Sequence, residues 1–192
     1  MMIRVLFMCL LCVPLLCHAE VSAWNVERLM QGMAQVQQSQ GKFVERKYLS
    51  LLNRPLESSG TLSFQAPGHL EKHTLTPKVE SLVLDQGVLT IDSKARNIKR
   101  TLVLQEYPAI WAFVESIRST LAGDLPTLQR FYKIELEGNE AQWKMKLLPI
   151  ERHTREVIRE IRIGGRGKQV DSIETFESNG DHALMKVVEA AQ

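Results

Sequence analysis

The segment Leu82-Val-Leu-Asp-Gln-Gly-Val-Leu-Thr-Ile91 decides the fold class. Leucine or isoleucine recurs at every second position on each side of the turn residues Asp85-Gln-Gly87, and a period of two is typical of strands with one apolar face. The same alternation precedes it, where Leu62 and Phe64 stand between polar residues. The sequence therefore predicts an antiparallel meander whose two faces differ in polarity.

Strand-like runs continue outward from this segment on both sides. They occupy residues 42–104 and then the shorter runs 132–136, 143–147, 157–163, 170–176 and 183–188. Two segments have helical spacing of apolar residues instead, Trp24 to Gln38 and Tyr107 to Leu121, and a short further helix is expected after Gly123-Asp-Leu-Pro126. We predict one domain of about ten strands with two main helices packed on the sheet.

The first nineteen residues have the pattern of a secretory signal peptide. Arg4 supplies a positive charge, Val5 to Leu16 is almost wholly apolar, and Cys17-His-Ala19 places small residues at the −3 and −1 positions of a cleavage site. Cleavage after Ala19 is favoured over lipidation at Cys17, because the residue before that cysteine is a bulky leucine. We expect a signal peptide over residues 1–19 and an exported, periplasmic domain over 20–192.

The composition excludes several classes of protein. Of the 192 residues, 44% are hydrophobic and 24% charged, which are globular proportions. Lys and Arg number 24 against 22 Asp and Glu, a net charge of +2 that is too balanced for a nucleic-acid binder held by phosphate contacts. All three cysteines precede Ala19, so the exported domain is expected to be stable without disulfides.

No sequence motif brings together a nucleophile, a base and an orienting partner. The histidines His73, His153 and His182 stand in no zinc-protease or EF-hand motif. We interpret His153-Thr-Arg-Glu156 as a solvated charged loop and Gly164-Gly-Arg-Gly-Lys168, which lacks the Walker A pattern, as a hairpin turn. The sequence predicts neither an enzyme nor a bound cofactor or metal.

The remaining signal is an apolar face that could be a closed core or the wall of a cavity. A curved sheet with a continuous apolar face has to be filled by helices, by its own side chains or by a ligand. Periodicity alone does not distinguish these cases. The candidate wall residues are Leu62, Phe64, Leu70, Leu82, Leu84, Leu89, Ile91, Phe113, Ile117, Trp143, Met145 and Leu147.

Three segments resemble the LolA family, the periplasmic carriers of outer-membrane lipoproteins. They are Gly60-Thr-Leu-Ser-Phe-Gln-Ala-Pro-Gly-His-Leu70, Thr76-Pro77 and the segment 82–91 quoted above. The matching positions, in order, are Gly60, Leu62, Phe64, Pro67, Pro77, Asp85, Gly87, Leu89 and Ile91. The helices and the Trp143 strand fit the same topology, so the resemblance covers nearly all of the exported chain.

The resemblance implies a mainly β fold with helices, an unclosed and strongly curved antiparallel half-barrel. The N-terminal and mid-chain helices would cover an apolar cavity that takes acyl chains of lipoproteins or lipids. The expected partners are an inner-membrane donor and an outer-membrane acceptor protein, with no nucleic acid and a monomeric carrier.

Two positions depart from the family pattern. The family has an arginine before the first proline, where it takes part in lid closure and handover, whereas this chain has Ala66. An aromatic residue expected in the next strand falls near Lys72. The chain therefore resembles a divergent branch, whose members are similar to carriers of envelope lipids or polyene-type acyl products, and the cargo stays open.

A second class of function shares the same half-barrel. Regulators of the RseB type use it as an interaction module that senses lipid or lipoprotein, without a transport role. Such regulators carry a second domain, and the length of this sequence favours the carrier.

Overall fold

The segment 82–91 forms two antiparallel strands joined by a two-residue turn. Gln86 and Gly87 at this turn have φ angles of 47° and 78°, the left-handed conformation that matches the twist of hairpin strands. The structure, a computed structural model that describes residues 24–189, contains eleven strands. They are β1 Gln38–Tyr48, β2 Leu56–Gln65, β3 His69–Thr76, β4 Glu80–Asp85, β5 Val88–Ser93, β6 Ile98–Val103, β7 Tyr132–Asn139, β8 Gln142–Pro149, β9 Ile158–Arg166, β10 Gln169–Glu177 and β11 His182–Glu189.

All eleven strands belong to one antiparallel sheet in the order β6-β5-β4-β3-β2-β1-β11-β10-β9-β8-β7. Every pair in the sheet joins strands that are neighbours in sequence, except the pair of β1 with β11. Within residues 24–189, β6 and β7 do not pair, so the sheet is unclosed. The predicted half-barrel with helices is confirmed, with eleven strands in place of about ten. The predicted signal peptide, residues 1–19, lies outside the described residues.

Four helices accompany the sheet in the described part of the chain. They are α1 Val26–Met33, α2 Pro108–Ala122, α3 Leu125–Phe131 and α4 Arg152–Val157. The first helix is shorter than the predicted Trp24 to Gln38, because Gln38 already pairs with Gln65 of β2. The helix predicted after Gly123 is confirmed as α3, whose backbone is capped by the Asp124 side chain.

Gly123 permits the close approach of α1 and α2. It ends α2 in the left-handed conformation, with a φ of 66°, and its amide donates to carbonyls of the last helical turn. A Cβ at this position would overlap the backbone of Met30 and Ala34 at the end of α1. Only glycine satisfies both the backbone conformation and this packing.

The closed core lies between α1, α2 and α3 and the strands β8, β9 and β10. Trp143, Met145 and Leu147 lie at its centre with exposures of 2%, 0% and 0%. Their placement on a cavity wall is therefore wrong. Alternation in β8 correctly identifies its buried face, but the helices cover that face and pack against it.

Two charged segments also differ from expectation. His153-Thr-Arg-Glu156 lies in the short helix α4, not in a loop, and its Thr154 is buried beneath exposed neighbours. In Gly164-Gly-Arg-Gly-Lys168, only the last two residues form the predicted hairpin turn. Gly164 and Gly165 are part of β9, and position 165 has to be a glycine because a Cβ there would overlap the ring of Trp143.

Candidate functional site

A cavity of about 260 Å³ lies beside the closed core. It is bounded by the apolar faces of β2 to β5, by α2 and by parts of β10 and β11. Its lining is dominated by leucine, valine, isoleucine, methionine and phenylalanine side chains. The two halves of the sheet therefore differ. The helices pack tightly against β8 to β10, whereas a cavity remains over β2 to β5.

Strand register explains why one wall of the cavity is continuous. Phe64 pairs with Leu70, Leu70 with Leu84, and Leu84 with Leu89, so a single apolar row crosses four strands. Phe64 and Leu84 are each only 3% exposed. Paired residues in an antiparallel sheet have side chains on the same face, and this row therefore presents one surface to the cavity.

The opposite wall is the apolar side of α2. Phe113, Val114, Ile117 and Leu121 line the cavity at helical spacing. Ile110, which belongs to the same apolar stripe in the sequence, is 38% exposed and does not line it.

The structure brings eight of the twelve predicted wall residues together. These are Leu62, Phe64, Leu70, Leu82, Leu84, Leu89, Phe113 and Ile117. Trp143, Met145 and Leu147 lie in the closed core, and Ile91 lies two residues beyond Leu89 on the same strand face, outside the lining. Whether the eight residues bind a ligand stays a prediction.

Sequence reasoning missed the contribution of the last two strands. Val170 and Ile173 of β10 and Met185 and Val187 of β11 also line the cavity. Their alternation was visible, but their place depends on the pairing of β1 with β11, which joins opposite ends of the chain. No local pattern indicates that pairing.

An ion pair interrupts a second row across the sheet. Lys72 stands between Leu62 and Leu82, and its ammonium lies 2.7 Å from a carboxylate oxygen of Glu45. The ammonium also lies 4.8 Å from the ring centroid of Phe43, a favourable cation–π distance. Lys72 is thus a neutralised lysine packed on an aromatic ring.

The carboxylate of Glu71 is held by two histidines. Its two oxygens each lie 2.8 Å from an imidazole nitrogen, one of His69 and one of His73. The hydrogen bond from His69 lowers the pKa of Glu71, and the same bond raises the pKa of His69. His69 is missing from the sequence-based candidates, although its spacing from His73 places both on one face of β3.

Lys168 is the fourth ionisable residue in the cavity lining, after Glu45, Glu71 and Lys72. It lies in the turn between β9 and β10, is exposed, and donates a hydrogen bond of 2.6 Å to the side-chain oxygen of Gln35. Within residues 24–189, no carboxylate lies within ion-pair distance of its ammonium. Met33, Val36 and Val170, its near neighbours in the fold, line the cavity as well.

Arg118 connects α2 to the loop between β2 and β3. Its guanidinium donates to Glu115 at 2.7 Å, to Asp124 at 2.9 Å and to the carbonyl oxygen of Pro67 at 3.2 Å. Glu115 is only 8% exposed. The carboxylate is buried because Arg118 and the hydroxyl of Ser119 satisfy it.

Within residues 24–189, no group of three or more His, Cys, Asp or Glu side chains is arranged to hold a metal ion. No helix in that range has both the length and the apolar character needed to cross a membrane.

Comparison with known protein families gives a match over most of the chain. A family model described as "Outer membrane lipoprotein carrier protein LolA-like" matches residues 18–192. No curated protein matches the sequence.

Several solved structures have a related arrangement. A LolA superfamily protein from Nitrosomonas europaea has a TM-score of 0.47 at 7% identity, covering 88% of this chain and 95% of that one. The Pseudomonas aeruginosa MucA/MucB complex has a TM-score of 0.47 at 13% identity over 86% of this chain and 57% of that one. A putative outer membrane lipoprotein-sorting protein domain from Vibrio parahaemolyticus gives 0.43 at 4% identity, covering 84% and 88%. At these TM-scores the likenesses carry no argument about function.

Proposed function

The chain belongs to the LolA-like family of outer membrane lipoprotein carrier proteins, and from this premise we propose that it is a periplasmic carrier of acyl chains. In this proposal a signal peptide over residues 1–19 is removed and the single domain 20–192 is exported. The domain shields acyl chains of lipoproteins or lipids during transfer from an inner-membrane donor towards an outer-membrane acceptor. It acts as a binding protein and not as an enzyme.

The observation that carries the proposal is the apolar row facing α2 across the cavity. Phe64, Leu70, Leu84 and Leu89 form a continuous surface without a hydrogen-bonding side chain. Transfer of an acyl chain from water gains about 0.8 kcal/mol per buried methylene, and this gain needs no fixed polar partner. A wall of this kind therefore supports binding of a hydrocarbon chain more than binding of a polar metabolite.

Titration with a fluorescent fatty acid tests the proposal. We expect saturable binding by the wild type and a loss of at least about tenfold in Leu84→Glu and Leu89→Glu, because a carboxylate in the cavity is left without a partner. Leu75→Glu is the matched control, since Leu75 is 56% exposed and lies outside the lining. Circular dichroism and urea unfolding check that each variant is folded.

The alternative, an interaction module without a transport role, makes a different prediction. A sensor binds acyl chains but does not deliver them, so transfer to acceptor vesicles would not exceed the spontaneous rate. A carrier accelerates that transfer in proportion to its concentration. Absence of binding by the folded wild type would contradict both forms of the acyl-binding proposal.

A further inference from the structure

We infer that the cavity takes amphiphiles with an anionic head group, and that Lys168, which belongs to the cavity lining, binds this head group. The inference rests on the proposed acyl-binding function and specifies its ligand. It concerns the charge that remains at the site after the ion pairs of the lining are formed.

The charges of the lining leave one lysine uncompensated. Lys72 is neutralised by Glu45. The side chain of Glu71 pairs with His69 and His73 on the face of β3 opposite to Leu70 and Lys72. An anion near Lys72 would meet the carboxylate of Glu45. Lys168 has a hydrogen bond to the neutral amide of Gln35 and, within the described residues, no acidic partner. An anionic oxygen therefore gains attraction at Lys168 without displacing a carboxylate.

The position of Lys168 suits a head group. Its exposed ammonium keeps contact with water, while Val170, Met33 and Val36 continue from it into the apolar lining. An amphiphile placed with its chain along these residues would have its polar end at the ammonium. An anionic oxygen that binds the Lys168 ammonium can replace the side-chain oxygen of Gln35. Lys168 and Gln35 are both exposed, so this replacement leaves no buried polar group without a hydrogen bond.

Isothermal titration with three probes tests the inference. Palmitate and lysophosphatidic acid carry one chain and an anionic carboxylate or phosphate, and hexadecanol carries a sixteen-carbon chain without charge. We expect Lys168→Gln to weaken binding of an anionic single-chain probe about fivefold, in keeping with an exposed ion pair. Hexadecanol binding should stay unchanged, and 1 M salt should abolish the difference between the wild type and the variant.

Lys144→Gln is the matched control, because Lys144 is exposed on β8 and does not line the cavity. Whichever of palmitate and lysophosphatidic acid responds to Lys168→Gln identifies the anion. An equal loss for palmitate and hexadecanol, or no loss for any anion, would overturn the role of Lys168. Failure of hexadecanol and of all anions to bind the wild type would instead contradict the proposed function itself.

Discussion

Ala66 stands where the family pattern has an arginine, and in this structure a guanidinium reaches the same loop from the other side. Arg118 of α2 hydrogen-bonds the carbonyl oxygen of Pro67, which directly follows Ala66. We therefore expect the absence of an arginine at position 66 to leave uptake of cargo intact while altering its release to an acceptor.

Removal of the Arg118 guanidinium should destabilise the fold strongly. In Arg118→Ala, the carboxylate of Glu115 is left buried without its countercharge, and Asp124 loses its partner. We expect a loss of about 3 kcal/mol in the free energy of unfolding, measured with urea, as for a broken buried pair. Arg152→Ala breaks an exposed pair with Glu156 and should cost less than about 0.5 kcal/mol. Equal effects of the two substitutions would contradict the structural role of Arg118.

The hydrogen bonds of Glu71 with His69 and His73 make the stability of the fold depend on pH. The lowered pKa of Glu71 contributes stability above its ordinary value of 4.5, and that stability is lost as the pH falls through the lowered pKa. The raised pKa of His69 contributes stability below its ordinary value of 6.5, which is lost as the pH rises through the raised pKa. The stability difference between wild type and Glu71→Gln should therefore be largest between pH 4.5 and 6.5, at most about 1 kcal/mol because the groups are partly exposed. A difference that is constant from pH 4 to pH 9 would contradict this linkage.

At the scale of elements, α2 has two buried sides of opposite character. The stripe of Phe113, Ile117 and Leu121 faces the cavity, while Ser116 is completely buried outside the cavity lining. Thr120, also completely buried, lies at the border and contributes to the lining. Their hydroxyls donate to backbone carbonyls of the same helix, so they are satisfied without a partner on another element. The small polar side lets α2 lie close to its neighbours while the apolar stripe remains available to the cavity.

A charge on the cavity side of α2 should disturb both packing and binding. Phe113→Glu places a carboxylate opposite the apolar row of β2 to β5, and we expect a cost of several kcal/mol in stability or an opening of the cavity. Ile110→Glu is the control on the same helix, because Ile110 is partly exposed and does not line the cavity. Wild-type melting and fatty-acid uptake in Phe113→Glu would show that α2 does not dock as described.

The elements differ in how far the sequence determines them. Strands β2 to β5 are predictable because alternating leucines and turn residues such as Asp85 to Gly87 lie within one short segment. The face of β8 that is buried is equally predictable, but whether Trp143 borders a cavity or a core depends on where α1 and α3 dock. That docking relies on contacts between distant parts of the chain, such as the contact of Gly123 with Met30. Such contacts produce no periodic pattern in the sequence.

At the scale of the whole molecule, stability and binding are assigned to different halves of the sheet. Strands β8 to β10 carry the closed core, whereas β2 to β5 border the cavity. We expect amide hydrogen exchange to be slower in β8 and β9 than in β4 and β5, because fewer packed apolar contacts hold the latter. A bound acyl chain should slow exchange in β2 to β5 more than in β8. Uniform exchange across the sheet would contradict this division.

Export makes a prediction about the intact mass of the protein. Purified from a periplasmic fraction, the protein should have the mass of a chain that begins at Glu20, because the site after Ala19 has the small residues that a signal peptidase needs. A diacylated species that begins at Cys17 would contradict the assignment and indicate a membrane-anchored protein. Edman sequencing of the same material provides an independent check.

The pairing of β1 with β11 has a consequence for the kinetics of folding. Every other strand pair joins neighbours in sequence, so the meanders β1–β6 and β7–β11 form from local contacts of low contact order. The pairing of Gly41 with Glu189, by contrast, has to close a loop through almost the whole chain. A circular permutant that links residue 189 to residue 24 and is opened between β6 and α2 would make this pairing much more local. Such a permutant should refold faster than the natural chain, since the slow search for the one distant pairing is replaced by closure of a short connection.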